Sequence, residues 1–275
     1  MLFRNQKFLL GLIIIATLVV AAVVSDALTD PGLRRTGSFL PKQPPWPGAP
    51  LGTDGLGRSI AIQMSEAILK SLLVGLIAAA LGTSLGALIG FSGGYFGGIV
   101  DAVLRLLVDV FLSVPSLLFL ILIASLVKGV GVPAMALIIG AFAWASPARQ
   151  SRAKVLSLKE RAFVKLARLS GMPPLRIVFG ELMPNMLQWL GANFVNAFIA
   201  AILAEAGLSL LGLGPQREMT LGMMVYWALS YGAILQNLWW WWLAPVLALM
   251  CLFLSLYLIH LGLDEVGNPR LSEPR

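Results

Sequence analysis

Apolar residues fill long blocks of this chain, and polar residues gather between them. The blocks lie near residues 8–24, 72–91, 99–127, 133–147, 186–211 and 239–263. A helix rises about 1.5 Å per residue and needs about 20 residues to cross a hydrocarbon core. Each block therefore predicts a membrane-spanning helix. The first follows Arg4 and Lys7. A secretory signal begins the same way, but this apolar run is longer than the usual one, and no small-x-small cleavage site follows it. An uncleaved span is expected. The second block carries Gly82, Gly86 and Gly90, and the spacing continues through Gly94 and Gly98. Steps of four put the first three on one helix face, where missing side chains let another helix approach closely. Gly93-Gly94-Tyr95-Phe96-Gly97-Gly98 is expected to form a tight turn.

Composition agrees with the pattern. The chain is 58% hydrophobic and 12% charged, against roughly half and a quarter in soluble domains. That excludes a single water-soluble core at this length. The net charge of +7 does not point to nucleic acid, because the cations sit between spans as the positive-inside rule describes. With both termini in the cytoplasm, that side holds Arg4, Lys7, Arg270, Arg275 and the basic loop at 149–176. The other side holds Lys128 and Arg217. Its first loop is mixed, with Arg34, Arg35, Lys42 and Arg58 beside Asp26, Asp30, Asp54 and Glu66. The proline-rich stretch 29–50 is expected to be irregular. The block Trp239-Trp240-Trp241-Trp242 reads as an anchor at the membrane interface, with an aromatic substrate platform as the other reading.

Eight of the twenty Lys and Arg residues fall between Arg149 and Arg176. The fourth span is expected to end near Pro147, with Arg149, Arg152 and Lys154 as a positive collar. Leu158, Ala162, Leu166 and Leu169 then share one helical face, with Lys and Arg on the other. Gly171 suits a helix C-cap, and Pro173-Pro174 forbids continuation. A second short run, Leu175-Arg176-Ile177-Val178-Phe179, leads through Glu181 to Pro184 and the fifth span. Two short helices at a Gly-Pro corner make a rigid knob for a soluble partner. The other reading is a loop lying on anionic lipid.

Few ionisable residues fall in or beside the spans: Asp101, Arg105, Asp109 and Glu205. Such groups are costly in lipid and should face protein or a water-filled path. Arg105 and Asp109 are four apart and can pair. Asp109 and Glu205 are candidates for lining a translocation path, with an internal ion pair or a helix cap as the structural alternatives. Lone Cys251 and lone His260 exclude an intramolecular disulfide and a Cys/His metal cluster; both read as structural. The sequence holds neither a phosphate-binding Gly-x-x-x-x-Gly-Lys motif nor a catalytic cluster.

Several motifs occur in order along the chain. They are Gly52-Thr53-Asp54-Gly55-Leu56-Gly57-Arg58, the Gly-Gly-Tyr-Phe-Gly-Gly turn with Asp101, and the Gly171 and Pro184 of the basic loop. Glu205-Ala206-Gly207-Leu208-Ser209-Leu210-Leu211-Gly212-Leu213-Gly214 and Asn268-Pro269-Arg270-Leu271 complete the set. The basic loop resembles the signature of binding-protein-dependent ABC importer permeases, conventionally Glu-Ala-Ala, three residues, Gly, and a later Leu-Pro. Lys165-Leu166-Ala167 stands for the triplet here, so Lys165 and Leu166 depart from it. The other motifs resemble the oligopeptide/dipeptide branch, C-type subunit, with Ser59 in place of an Asp.

The resemblance implies an all-α integral membrane protein, six transmembrane helices with a cytoplasmic coupling-helix loop, as in type I ABC importer permeases. It divides the chain into 1–67 (first helix and extracytoplasmic loop), 68–265 (five-helix core with a coupling loop at about 149–185) and 266–275 (cytoplasmic tail). It implies a prokaryotic plasma or inner membrane and di- or oligopeptide cargo, with nickel or oligosaccharide as alternatives. It implies as partners a homologous B-type permease, two cytoplasmic ABC ATPases that bind ATP and Mg, and an extracytoplasmic binding protein. No cofactor is expected in this chain, and no enzymatic activity of its own. The coupling residues would be Glu160, Arg161, Phe163, Lys165, Leu166, Ala167, Arg168, Leu169, Gly171, Pro173, Arg176 and Pro184. Phe163, Leu166 and Leu169 would be the apolar docking groups. A secondary transporter would need internal repeats and coupling-ion residues, and no repeat is evident.

Overall fold

The computed structural model describes residues 5–127 and 129–267; Arg4, Lys128 and the C-terminal Asn268-Pro269-Arg270-Leu271 motif with Arg275 lie outside them. The described residues are helical apart from the connecting segments and two isolated β-bridges. The helices are α1 (Gln6–Leu28), α2 (Ile60–Phe96), α3 (Gly98–Ser113), α4 (Ser116–Leu126), α5 (Val132–Phe142), α6 (Ala145–Leu158), α7 (Ala162–Leu169), α8 (Pro174–Ile177), α9 (Leu187–Leu210), α10 (Leu221–Ser230) and α11 (Trp239–Gly267). Four helical stretches are long and apolar enough to cross a membrane alone. Two bent pairs, α3 with α4 and α5 with α6, bring the number to six.

Both bends have a proline at their cause. Pro115 lacks an N–H and holds Val114 extended (φ −104°, ψ 132°), so α3 stops and α4 starts at 76° to it. Pro147 cannot donate to the carbonyl of Ala143, and the chain bends by 42° between α5 and α6 there. The expectation that the span ends at Pro147 is thereby corrected. A proline is tolerated in a helix's first turn, so α6 runs on to Leu158 and carries Arg149, Arg152 and Lys154 as helical residues.

α2 is the hub, packed against α1, α3, α5, α6 and α9. Its 37 residues make a rod about 55 Å long, and it runs unbroken across the 67/68 division. Gly82, Gly86, Gly90 and Gly94 all face α5 and α6. A Cβ on Gly82 would lie 2.7 Å from the Ala143 Cβ. One on Gly86 would lie 2.6 Å from Pro147, one on Gly90 2.5 Å from Ser151, and one on Gly94 2.9 Å from Val155. Gly93 and Gly94 are therefore helical, contrary to the expected turn. The turn is confined to Gly97 and Gly98, at φ +69° and +55°.

The end of the bundle that carries α7 is called here the basic face, and the opposite end the far face. On the basic face, α1 and α11 are tied together. Asn5 caps α1 by accepting from the N–H groups of Lys7 and Phe8, and its amide donates to Glu265 at 2.8 Å. Lys7 pairs with the same carboxylate. His260 meets the Ala192 carbonyl at 3.0 Å and fastens α11 to α9. Cys251 is exposed on α11 rather than packed inside.

On the far face, residues 29–59 are irregular but tied down. Asp54 is fully buried. It accepts from the N–H groups of Leu56 and Arg58, from Arg58 Nε at 2.7 Å and from Gln63 Nε2 at 3.1 Å. This knot sits under the tryptophan block. Trp240 Nε1 donates to the Thr53 carbonyl, and a Cβ on Gly55 would lie 2.8 Å from Trp241. Trp241 is buried and Trp239 half exposed, so only part of the block can serve as an interfacial anchor.

The glycine stripe should be intolerant of side chains. Gly90→Leu should leave little folded protein, or lower its melting temperature in detergent sharply. Gly207→Ala, at a helical glycine with nothing within 4 Å of its added Cβ, should be neutral or stabilising by about 0.5–1 kcal/mol.

Candidate functional site

The basic loop folds into a helical knob. α7 turns Val164 and Ala167 inward, with Phe163 half-buried beside them. They join Phe91 of α2, Val155 of α6, and Ile177, Val178, Leu182 and Met186 in one apolar cluster. Leu166 (62% exposed) and Leu169 (85% exposed) point away from the chain. Of the expected face, Leu158 at the end of α6 packs on this cluster while Ala162, Leu166 and Leu169 are exposed, and Phe163 serves the knob's own core. The three-residue offset of Val164 and Ala167 chooses the buried side, because it aligns with the apolar ends of α2 and α6.

The corner is closed by hydrogen bonds. Met172 N–H donates to the Ala167 carbonyl and Gly171 N–H to the Arg168 carbonyl, both at 3.1 Å. These are the 6→1 and 5→2 bonds of a Schellman motif. Gly171 sits at φ +72° with open space where a Cβ would go, so backbone strain alone selects glycine there. Pro173 caps α8 and Pro174 opens it. Pro184 leads into the fifth span without breaking the helical path. It has no N–H for the Gly180 carbonyl; a π turn over Val178–Leu182 and a 3₁₀ turn over Pro184–Met186 absorb the mismatch. The stretch Pro174–Leu210 then runs as one long helical rod.

Cations fix the knob to the α2–α3 corner. Lys159 Nζ donates to the Gly94 carbonyl at 3.0 Å, near the C-terminus of α2 where positive charge is favoured. The Arg168 guanidinium lies 5.1 Å from the centre of the Tyr95 ring. Arg152 grips Asp101, in the first turn of α3, through two bonds of 2.5 and 2.6 Å. Lys165 pairs with Glu160 at 3.3 Å in the open. Arg161 and Arg176 are exposed.

A cleft of about 310 Å³ opens between α3, α4, α5, α6 and α9. Its walls include Phe111, Phe142, Ser146, Gln150, Asn193 and Asn196. Neither Asp109 nor Glu205 lines it. Asp109 is taken by two arginines, Arg149 at 2.6 Å and Arg105 at 3.6 Å. The expected Arg105 pair exists, but the closer partner comes from α6.

The family model described as binding-protein-dependent transport system inner membrane component matches residues 82–273. The chain belongs to this family. A chain from Brucella abortus biovar 1 (strain 9-941), named as a peptide transport system permease protein, is 33% identical over 274 residues, 98% of this chain and 90% of that one. The oligopeptide transport system permease protein OppC of Mycobacterium bovis is 32% identical over 185 residues, 66% of this chain and 64% of that one. Among solved structures, a chain of the inward-facing MetNI methionine ABC transporter is similar in fold. Its TM-score is 0.58 at 20% identity, covering 75% of this chain and 95% of that one. The matched residues contain the whole knob and the whole cleft. They omit α1, the far-face knot and the first half of α2.

α10 is an additional helix between the last two spans. It is too short to span a membrane, but Thr220 before an apolar run and Gly232 after it were its signals. Its N-terminus explains Glu205. The Leu221 N–H donates to Ser71 Oγ and the Met223 N–H to Thr220 Oγ1. The hydroxyls of Ser71, Ser209 and Thr220 in turn donate to the Glu205 carboxylate, at 3.4, 2.7 and 2.6 Å. Glu205 is fully buried. It closes a helix start at one remove and joins α2, α9 and α10, one residue round the helix from Ala204 in the cleft wall.

Two outcomes follow. Gly171→Ala should destabilise the corner by about 1–2 kcal/mol, while Gly171→Asn, which adopts positive φ more readily, should lose less; limited proteolysis at the knob reads the difference. Glu205→Leu should lower the melting temperature in detergent well below that of Glu205→Gln, whose carbonyl still accepts the hydroxyls.

Proposed function

We propose that this chain is the C-type permease subunit of an ATP-driven importer of di- or oligopeptides, with the basic face in the cytoplasm. The observation that carries this is the knob: a short helix held on α2 and α6 that presents Leu166 and Leu169 outward. Membership of a binding-protein-dependent family supports a binding protein on the far side. The names of the relatives support peptide cargo, and the second permease is part of the proposal. In this reading two ATPases bind ATP and Mg and dock against α7. No cofactor belongs to this chain, which is not itself an ATPase. Both chain ends lie in the cytoplasm, in the plasma or inner membrane of a prokaryote.

The mechanism follows from the contacts. When the ATPases close, they displace α7. Its displacement reaches the α2–α3 corner through Arg168 on Tyr95, and the α6–α7 junction carries it through Lys159 on Gly94. Arg152 on Asp101 makes α6 and α3 move together. The bundle then turns against the second permease, and the cleft opens to the far side instead of the cytoplasm. Such coupling needs two packings that both sites bias. The cleft offers amides and hydroxyls, and no carboxylate or imidazole lines it among the described residues, which favours peptide over nickel as cargo.

A C-terminal tag and mild detergent extraction from native membranes should bring down a second six-span protein and P-loop ATPases. Purification of the chain alone, with no ATP hydrolysis, would overturn the reading. Replacing both Leu166 and Leu169 with Asp should release the ATPases and leave the permease pair together. Gly171→Asp should abolish peptide uptake, while the binding protein still captures peptide.

A further inference from the structure

Three arginines line one crevice toward the basic face of the bundle. It has a volume of about 360 Å³ and opens between α2, α3 and α6, with Arg105 on the α3 wall and Arg149 and Arg152 on the α6 wall. Asp109 is the single carboxylate in its lining among the described residues. Arg152 is spent on Asp101 through its two short bonds. Arg105 and Arg149 must share Asp109. Arg149 Nη2 donates to Oδ1 at 2.6 Å, and Arg105 Nε stands 3.6 Å from Oδ2, an ion pair beyond hydrogen-bond reach. One carboxylate thus holds a guanidinium at each of its oxygens. Both arginines stay open, with side chains 66% and 60% exposed. A guanidinium carries five N–H donors in a planar fork, so Asp109 can take up only a few of theirs.

Charge and place define the ligand. Three guanidiniums stand against two carboxylates, Asp101 and Asp109, which leaves one positive charge over. Like charges held this close repel, and an anion with several oxygens relieves the repulsion. Arginine forks match the oxygens of a phosphate group. Gly90 and Gly93 of α2 also line the crevice, about 5–9 Å inside the Phe96 end of that helix. On α3 the stripe that starts beside Arg105 is apolar and exposed, through Leu106, Ile99, Val110 and Val103. A soluble anion makes no use of that stripe. A phospholipid uses both features: its phosphate reaches the arginines, and its acyl chains cover the stripe. The surplus charge selects a lipid of net negative charge over a zwitterionic one.

We propose that the crevice of Arg105, Arg149 and Arg152 is a phosphate site, filled by the headgroup of an anionic phospholipid whose chains lie along α3. Asp109 is its positioning residue, holding one arginine from α3 and one from α6 at a single point. The bound headgroup bridges those two helices. The site stands apart from the choice of cargo and from the importer reading.

The test uses the protein as mild detergent extracts it from native membranes, with the partners that accompany it. After delipidation, phosphatidylglycerol and phosphatidylcholine are titrated in turn and followed by native mass spectrometry. Phosphatidylglycerol should bind more tightly and raise the melting temperature. Arg105→Gln together with Arg149→Gln should weaken its binding about tenfold, while Lys154→Gln, which removes an exposed cation of α6 outside the crevice, should change it by less than about twofold. Arg105→Lys together with Arg149→Lys keeps both charges but loses the forks, and should bind with intermediate affinity. This second pair carries the test if the glutamine pair does not fold. Equal binding of the two lipids, or equal weakening by Lys154→Gln, would overturn the site and leave a basic surface with no selectivity. A melting temperature raised by inorganic phosphate but not by phosphatidylglycerol would overturn the lipid as its occupant.

Discussion

Contact between α2 and the α5–α6 pair at backbone distance is the constraint on which the rest of the bundle depends. In lipid no hydrophobic force draws helices together, so association rests on close packing and internal hydrogen bonds. Gly82, Gly86, Gly90 and Gly94 supply the close packing along four turns. That contact fixes where α6 leaves the bundle and therefore where α7 can dock. It also places Arg152 within reach of Asp101 and Lys159 within reach of the Gly94 carbonyl. The cleft lies on the other side of α6, so its width is set by the same seam.

Buried polar groups organise the far half in a different way. Asp54 and Glu205 are both withdrawn from solvent, and each is surrounded by donors. Asp54 gathers a loop of awkward composition into one shape. Glu205 collects hydroxyls from three segments and aligns α10 with α2 and α9. Each carboxylate accepts from several segments at once and so fixes the orientation of the donors around it.

Spans were legible in the sequence because hydropathy reports burial in lipid directly. The glycine stripe was legible because its period matches the helix. The limits lay where proline acts. Pro115 bends a span that reads as continuous, Pro147 bends one that reads as ending there, and Pro184 is absorbed into a helix because a π turn can take up what an α turn cannot. The inward face of α7 was hidden for another reason. Phe163, Val164, Leu166, Ala167 and Leu169 give a helix of eight residues two apolar sides, and only the positions of α2 and α6 decide between them. Glu205 and Asp109 drew attention as charges near lipid, yet partners distant in sequence, Thr220 and Arg149, settle what each does. The cleft was not legible at all. Asn193 and Asn196 are common residues in an apolar run, and nothing local marks either as part of a cleft wall.

The length of α2 has a mechanical consequence. Its closest approach to α5 and α6 occupies the half nearest the basic face, from Ala78 against Gly140 to Gly94 against Val155. The remaining arm runs to Ile60, which is fully buried against the far-face cluster. From Gly86 to Ile60 the arm is about 39 Å long, so a tilt of about 5° around Gly86 carries its tip about 3 Å. A displacement of that size matches the spacing between neighbouring side chains. The seam is thus a fulcrum set near one end of a stiff beam, and a small rotation beneath the membrane arrives on the other side as a shift of atomic dimensions.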